Sequence, residues 1–329
     1  MQRGLVGGFK FKLIRSASAF IQFVAANQYS FVIRPVNCLT HEVPEGRGVL
    51  DQTGIVIQGP VSSFLDADNL AIFIEKLATV IDPKYLVVST WDSEYSRHLE
   101  KIVSCKVLLN RDEEFDNNFQ RQLFSTTSGL IYLKSLNVDI SIKLRIDQRI
   151  DPASVLLLGN IVSGERYKGR LIFSSMNSYT HRFFGLSDML NAGKTNDMLE
   201  FWSPNAYSEF FHTSTATIDL PFASWVNEIK PHWFESFLCI RYAYSRNTVF
   251  SESPWDDYVD FLSNWVVLVD AEIINQKWSK INSPFYSLTE RSLYNPHVAS
   301  DDSEMTQCLW FAINEGGYRP PKRNCDFDH

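Results

Sequence analysis

One stretch constrains this chain more than any other. Residues 138–147, VDISIKLRID, are an apolar, β-branched run that ends abruptly in an acid, Asp147. Its apolar, largely β-branched residues, at every second position, read as a buried strand. Shorter runs of the same character precede it at residues 54–57, 85–90 and 106–109. Between them lie segments of helical spacing. Residues 66–81 put Leu70, Phe73, Ile74, Leu77 and Val80 on one face, residues 94–102 suit a short helix, and residues 117–136 suit a long one. Asp66 or Asp68 is the expected cap of the first of these. The order β-α-β-α-β-α-β predicts an α/β fold built on a doubly wound, mainly parallel sheet with helices on both faces.

The alternation weakens after residue 150. Residues 171–174 and 266–269 read as further strands, and residues 231–244 and 303–313 as helices. The aromatic-rich stretch 179–213 reads as helix and loop folded over the sheet, and 315–329 as irregular. Residues 40–53 are polar and turn-rich, as a linker would be. The expected organisation is therefore an N-terminal helical extension and linker at 1–50, a catalytic domain at 51–250, and a helical or irregular C-terminal extension at 251–329 packed on it.

With 329 residues, 45% hydrophobic and 21% charged, the chain can bury a core without staples. A net charge of −7 with no basic block argues against a nucleic-acid partner, which would require a cationic stripe. The five cysteines are odd in number and form no CxxC pair, so reduced thiols in the cytoplasm fit better than a disulfide framework or a zinc site. No apolar run is long enough to span a membrane. Residues 1–27 mix helically spaced apolar positions with Lys10, Lys12 and Arg15. They read either as a helix in peripheral contact with an anionic membrane, at its inner face, or as a helix packed on the domain.

Five clusters could carry chemistry. Gln58-Gly59-Pro60 follows the first strand, where a glycine lets backbone amides approach a ligand; an ordinary turn is the plainer reading. There is no GxGxxG and no Walker lysine, so hydride transfer and ATP hydrolysis lose their main support. Ser89-Thr90-Trp91-Asp92 ends the second strand and suits recognition of a base or ribose, with Trp91 either stacking or simply core. Asn118, Gln122, Thr126 and Gly129 form one helical stripe, which lines a sugar-phosphate pocket or faces solvent. Lys143, Arg145 and Asp147 share a strand face, where the acid could bind a bridging cation and the arginine could offset phosphate charge; alternatively Asp147 caps a turn or pairs with Arg145. Glu235, among aromatics at the start of a helix, suits a general base or a stabiliser of the helix N-terminus. His181 and His212 read as structural.

Taken in order, these pieces resemble the WavE family of bacterial lipopolysaccharide-synthesis proteins. The resemblance rests on Ile57 to Pro60, Ser89-Thr90-Trp91, Asn118 to Gln122 with Thr126 and Gly129, and Lys143 to Asp147. It continues through Phe183-Phe184-Gly185, Asp188-Met189-Leu190, Phe201-Trp202 and the segment from His232 to Leu238. It implies a GT-A-like glycosyltransferase that moves a sugar from a nucleoside diphosphate donor to a glycan or lipid-linked glycan acceptor, lipopolysaccharide or capsule. Gln58, Gly59, Pro60, Thr90, Trp91, Asn118, Gln122, Lys143, Arg145 and Asp147 would bind the donor, and Glu235 or Asp188 would act as the base. Asp147 would hold Mg²⁺ or Mn²⁺ if a metal is used. Arg145 stands where the first acid of a DxD motif would be, which leaves the metal open, and Thr180, His181 and Arg182 stand where another acid is expected. Those departures keep a second reading in play, an inactive glycan-binding or scaffolding protein of a polysaccharide assembly complex. A nucleotidyltransferase fits less well, because residues 55–65 contain no lysine.

Overall fold

A computed structural model describes residues 52–111, 115, 117–178, 183–203, 234–251, 253–278, 305 and 307–314. Apart from Trp278, these belong to one compact unit, Glu42–Lys277 with Asp301–His329. The expectations for residues 1–50, and those for His181 and His212, lie outside the described residues.

The chain runs β1 (Thr53–Gln58), α1 (Phe64–Leu77), β2 (Leu86–Trp91), α2 (Glu94–Ile102), β3 (Lys106–Asn110), α3 (Asn118–Ser135), β4 (Ile140–Arg145) and α4 (Pro152–Ser163). It continues through β5 (Leu171–Ser174), β6 (Leu190–Lys194), α5 (Thr195–Phe201), α6 (Phe234–Ser245), α7 (Pro254–Trp265), β7 (Val266–Val269) and α8 (Gln307–Asn314). The fold is mixed α/β around a seven-stranded, mainly parallel sheet ordered β3-β2-β1-β4-β6-β5-β7. Only β6 is reversed, running antiparallel to both β4 and β5. Strand β7 pairs with β5, so residues beyond 250 enter the sheet itself.

Local chemistry sets the helix starts. Ser63, not an aspartate, caps α1, its hydroxyl accepting from the Asp66 amide at 3.1 Å. Asn117 caps α3 by accepting from the Phe119 and Gln120 amides at 3.0 and 3.1 Å. Each bond satisfies an amide that the first turn leaves without a partner.

The structure corrects the reading of residues 179–213 at one point. Leu190–Lys194 is not helix or loop but the reversed strand inside the sheet, between β4 and β5. Its sequence, LNAGK, lacks β-branched residues, and Gly193 is needed there because a Cβ would come within 2.5 Å of Leu171.

Helix α3 lies close on β1. A Cβ at Gly129 would meet the Val56 side chain at 2.5 Å, so the absence of one sets how closely helix and strand approach. In register with Val56 stands Lys143 of β4. Lys143 therefore enters the fold on the α3 face of the sheet and is fully buried there. None of the described helices is long and apolar enough to cross a membrane.

Candidate active site at the β1–β4 crevice

The chain proceeds from β1 to β2 and β3 on one side, then returns to β4 on the other. The connections leaving β1 and β4 diverge, and ligands in open α/β sheets bind outside the carboxyl ends of strands at such a switch point. Gln58 and Arg145 are in register as the last residues of the two strands. The Ile146 amide donates to the Gln58 carbonyl at 2.8 Å, and the Gly59 amide to the Ser89 carbonyl at 3.2 Å. Gly59 has φ +138°, and a Cβ there would meet the Ile146 side chain at 2.8 Å. Glycine is thus required where the strand ends close together. Gln58 and Gly59 are buried and Pro60 is exposed.

Beside this crevice two cations and two acids interlock. Arg145 donates to both oxygens of Asp147, from Nε at 3.2 Å and from Nη2 at 3.1 Å. Its Nη1 lies 3.8 Å from Oδ2 of Asp188. Gln122, on α3, donates to that same Oδ2. Lys143 donates from Nζ to the Asp188 backbone carbonyl and stands over the Trp202 ring, 4.6 Å from its centroid. Trp202 is held in turn by α3, as its carbonyl accepts from the Thr127 hydroxyl at 2.5 Å.

The loop that carries Asp188 is pinned on both sides. The Ser187 amide donates to the Ser178 hydroxyl at 2.9 Å, and the Asn191 side chain donates to the Ser187 carbonyl at 3.0 Å. Upstream, the Phe184 ring packs among Phe250, Tyr258 and Phe261. Asp188 is thus a fixed anion rather than a mobile one.

The charges follow from these contacts. Burial pushes the Lys143 ammonium down to a pKa of about 8; Asp188, Asp147 and Glu235 oppose the shift and Arg145 adds to it. Burial would raise the Asp188 carboxyl, but Lys143, Arg145 and the Gln122 hydrogen bond outweigh it and hold the pKa below the ordinary value. Burial also works against the Arg145 charge, yet Asp188 and Asp147 more than compensate, and Arg145 sits above the ordinary arginine value. Glu235, half-buried in the first turn of α6, adds its field to both cations. The structure therefore brings together Gln122, Lys143, Arg145, Asp147 and Asp188, with Glu235 in electrostatic reach.

These donors do not fit a divalent cation as they are arranged. Asp147 has both oxygens engaged by one guanidinium, and Asp188 is already bonded by Gln122. A dication on Asp147 would face that guanidinium, and at 4 Å each pair of unit charges repels by about 4 kcal/mol at an effective dielectric near 20. Among the described residues no three His, Cys, Asp or Glu side chains gather into a metal-holding group.

The remaining candidates lie around the cluster. Thr90 is fully buried, and its hydroxyl has no hydrogen-bond partner among the described residues. Trp91 is half-buried against Phe115 and Phe124, with centroids 5.4 and 6.3 Å away, and so forms part of an aromatic wall. Asp92 is engaged by Arg97 at 2.8 and 2.7 Å. The α3 stripe divides: Asn118 is exposed, Gln122 meets Asp188, and Thr126 and Gly129 are buried towards the sheet. The sequence gives no sign of the Lys143–Trp202 and Gln122–Asp188 contacts.

The model of a family described as WavE lipopolysaccharide synthesis matches residues 53–224. The chain belongs to this family. Every candidate from Gln58 to Asp188 falls inside the WavE match, and Glu235 falls outside it. No curated protein sequence matches the chain. Among the solved structures that resemble it loosely are these two. CMP:2-keto-3-deoxy-manno-octonic acid synthetase complexed with CTP aligns over 75% of this chain and 99% of its own, at 14% identity and a TM-score of 0.37. Mannose-1-phosphate geranyltransferase from Thermus thermophilus aligns over 55% of this chain and 68% of its own, at 9% identity and a TM-score of 0.32.

Proposed function

We propose that this WavE protein is a GT-A-type glycosyltransferase that moves a sugar from a nucleoside diphosphate donor to a lipopolysaccharide or other surface-glycan acceptor in the cytoplasm. The observation that carries the reading is the interlocked set Lys143, Arg145, Asp147 and Asp188 at the β1–β4 switch point. That position suits a polar, anionic ligand, and membership in a family described by lipopolysaccharide synthesis supports a glycan-synthesis role.

In this reading the backbone at Gln58 and Gly59 and the wall at Trp91 receive the nucleoside, and Arg145 meets the diphosphate. The acceptor oxygen attacks the anomeric carbon, the bond from that carbon to the diphosphate oxygen breaks, and the diphosphate leaves with the electron pair. In an inverting transfer the acceptor proton passes to Glu235. Asp188 is the poorer base, because its cations hold it ionised and a base works best with a pKa near the working pH. Its part is to anchor Lys143 and Arg145.

The test is product analysis of the full chain with a panel of UDP-, GDP-, TDP- and CMP-linked sugars and a glycan acceptor. Transfer from a UDP-, GDP- or TDP-linked sugar, abolished in Asp147→Asn with the fold intact, supports the reading; transfer from the CMP-linked sugar alone refutes the diphosphate donor, and near-normal transfer by that variant refutes the role of Asp147. A binding or scaffolding role would instead show as thermal stabilisation by oligosaccharide alone.

A further inference from the structure

The acid pair at the head of the sheet is bridged by an arginine, and we propose that Arg145 serves as the resident cation for the donor diphosphate, so that the nucleotide binds without a divalent metal. This rests on the sugar-nucleotide reading above and says how that site neutralises its ligand.

Three observations carry it. The first is the donor set. Asp147 gives both oxygens to Arg145, while Asp188 takes the Gln122 amide and lies 3.8 Å from the other end of the same guanidinium. An ion entering at Asp147 would have to evict a cation that both acids hold. The second is the division between the two cations. Lys143 is wholly buried, with its ammonium given to the Asp188 carbonyl and the Trp202 ring, whereas the Arg145 side chain keeps 26% of its surface exposed. Lys143 holds the anchor, and Arg145 is the cation a ligand can reach. The third is valence. A guanidinium has five N–H donors, and two go to Asp147. The rest suffice for the paired contact that arginine makes with phosphate oxygens. The two acids fix the planar fork before the ligand arrives, so little ordering remains to be done on binding.

The experiment is nucleotide binding by the full chain, measured by calorimetry with UDP, GDP, TDP, CDP and CMP, each in EDTA and in MnCl₂. At least one nucleoside diphosphate is expected to bind in EDTA within about threefold of its affinity in Mn²⁺. Arg145→Gln is expected to weaken it about tenfold or more, as loss of a charged, paired contact does. Circular dichroism checks the fold of that variant. Arg145→Lys, which keeps a charge between the acids but loses the fork, is expected to fall between the two. Electron paramagnetic resonance of Mn²⁺ added to nucleotide-free protein should show the free-ion signal undiminished.

Binding that requires Mn²⁺, a stoichiometric Mn²⁺ site in the nucleotide-free protein, or wild-type affinity in both variants overturns the proposal and leaves the sugar-nucleotide reading standing. Failure of every nucleotide in both buffers overturns the two together.

Discussion

Lys143 and Asp188 are tied twice: the ammonium donates to the Asp188 backbone carbonyl, and its charge helps keep the Asp188 carboxyl ionised. A buried ammonium survives only if it is paired and hydrogen-bonded. The tie therefore joins the second-last residue of β4's buried run to the loop that precedes the reversed strand β6. It sets where an anion stands at the mouth of the crevice, and so where Arg145 points its charge.

Asp188→Asn tests that tie. The amide keeps the shape but leaves Lys143 buried without its main counter-charge. Removing one partner of a buried ion pair costs about 3–5 kcal/mol. The variant should lose stability on that scale in urea unfolding, together with donor binding. The effect should depend on pH. Because the folded carboxyl titrates below its ordinary 3.8, its contribution is complete above that value and fades as pH falls through the folded pKa. Wild type and variant should therefore converge in acid.

Lys143 makes the opposite prediction at alkaline pH. Its folded pKa of about 8 lies below the ordinary 10.5, so between these values the unfolded chain holds a proton that the folded one has released. Stability from this group therefore rises with pH across that window, and the cost of burying the charge is fully present below it. Asp188, Arg145, Asp147 and Glu235 set the field at Lys143. Relative to Lys143→Met, wild type should gain about 3 kcal/mol between pH 7.5 and 10.5. Parallel unfolding curves for the two proteins over that range would contradict the assignment.

Much of this was legible in the sequence, and the limit has a physical form. Strands β1, β2 and β4 announce themselves through runs rich in β-branched residues that the sheet buries on both faces, and β3, only partly buried, through a short apolar run. Their carboxyl ends then point to Gln58 and Arg145 without any structure. The Arg145–Asp147 pair is legible too, being two residues apart at a strand end. What escapes is β6. Its glycine and asparagine lower strand propensity, and they are there because Leu171 lies against Gly193 and because Asn191 bonds the Ser187 carbonyl. Without β6 there is no way to see that Asp188, 45 residues on, returns to Lys143. Long-range polar contacts leave no periodic trace, whereas strands and helices do.

Gly59→Ala probes the geometry of the crevice apart from its charge. The left-handed φ of +138° and the 2.8 Å approach to Ile146 both act against a side chain. A residue forced into a sparsely populated backbone region costs about 1–3 kcal/mol. The variant should fold with a lowered melting temperature and bind nucleotide more weakly, since Gln58 and Ile146 must move apart. A protein that melts as wild type does and binds nucleotide equally well would show that this turn does not shape the site.

Gln122→Glu probes the α3 contact. It replaces a donor to Asp188 with a second carboxylate. Like charges sharing a site raise one pKa. The variant should therefore bind donor more weakly at neutral pH and recover as pH falls. Gln122→Ala, which adds no charge, should show no such pH dependence. Equal pH profiles for the two variants would mean that Asp188 is not in contact with this position.

Glu235→Gln separates the base from the binding site. Glu235 touches the field of Lys143 and Arg145 but lies on α6, apart from the β1–β4 strand ends. If it accepts the acceptor proton, its amide should cost about 10²–10⁴-fold in kcat, the usual worth of a positioned base, and remove the acid limb of the pH–rate profile. Donor affinity should stay within about threefold of wild type, because a contact made mainly in the transition state lowers kcat rather than binding. The reverse pattern, intact turnover with weakened donor binding, would move Glu235 from proton transfer to the electrostatic support of Arg145 and hand the base to another acid.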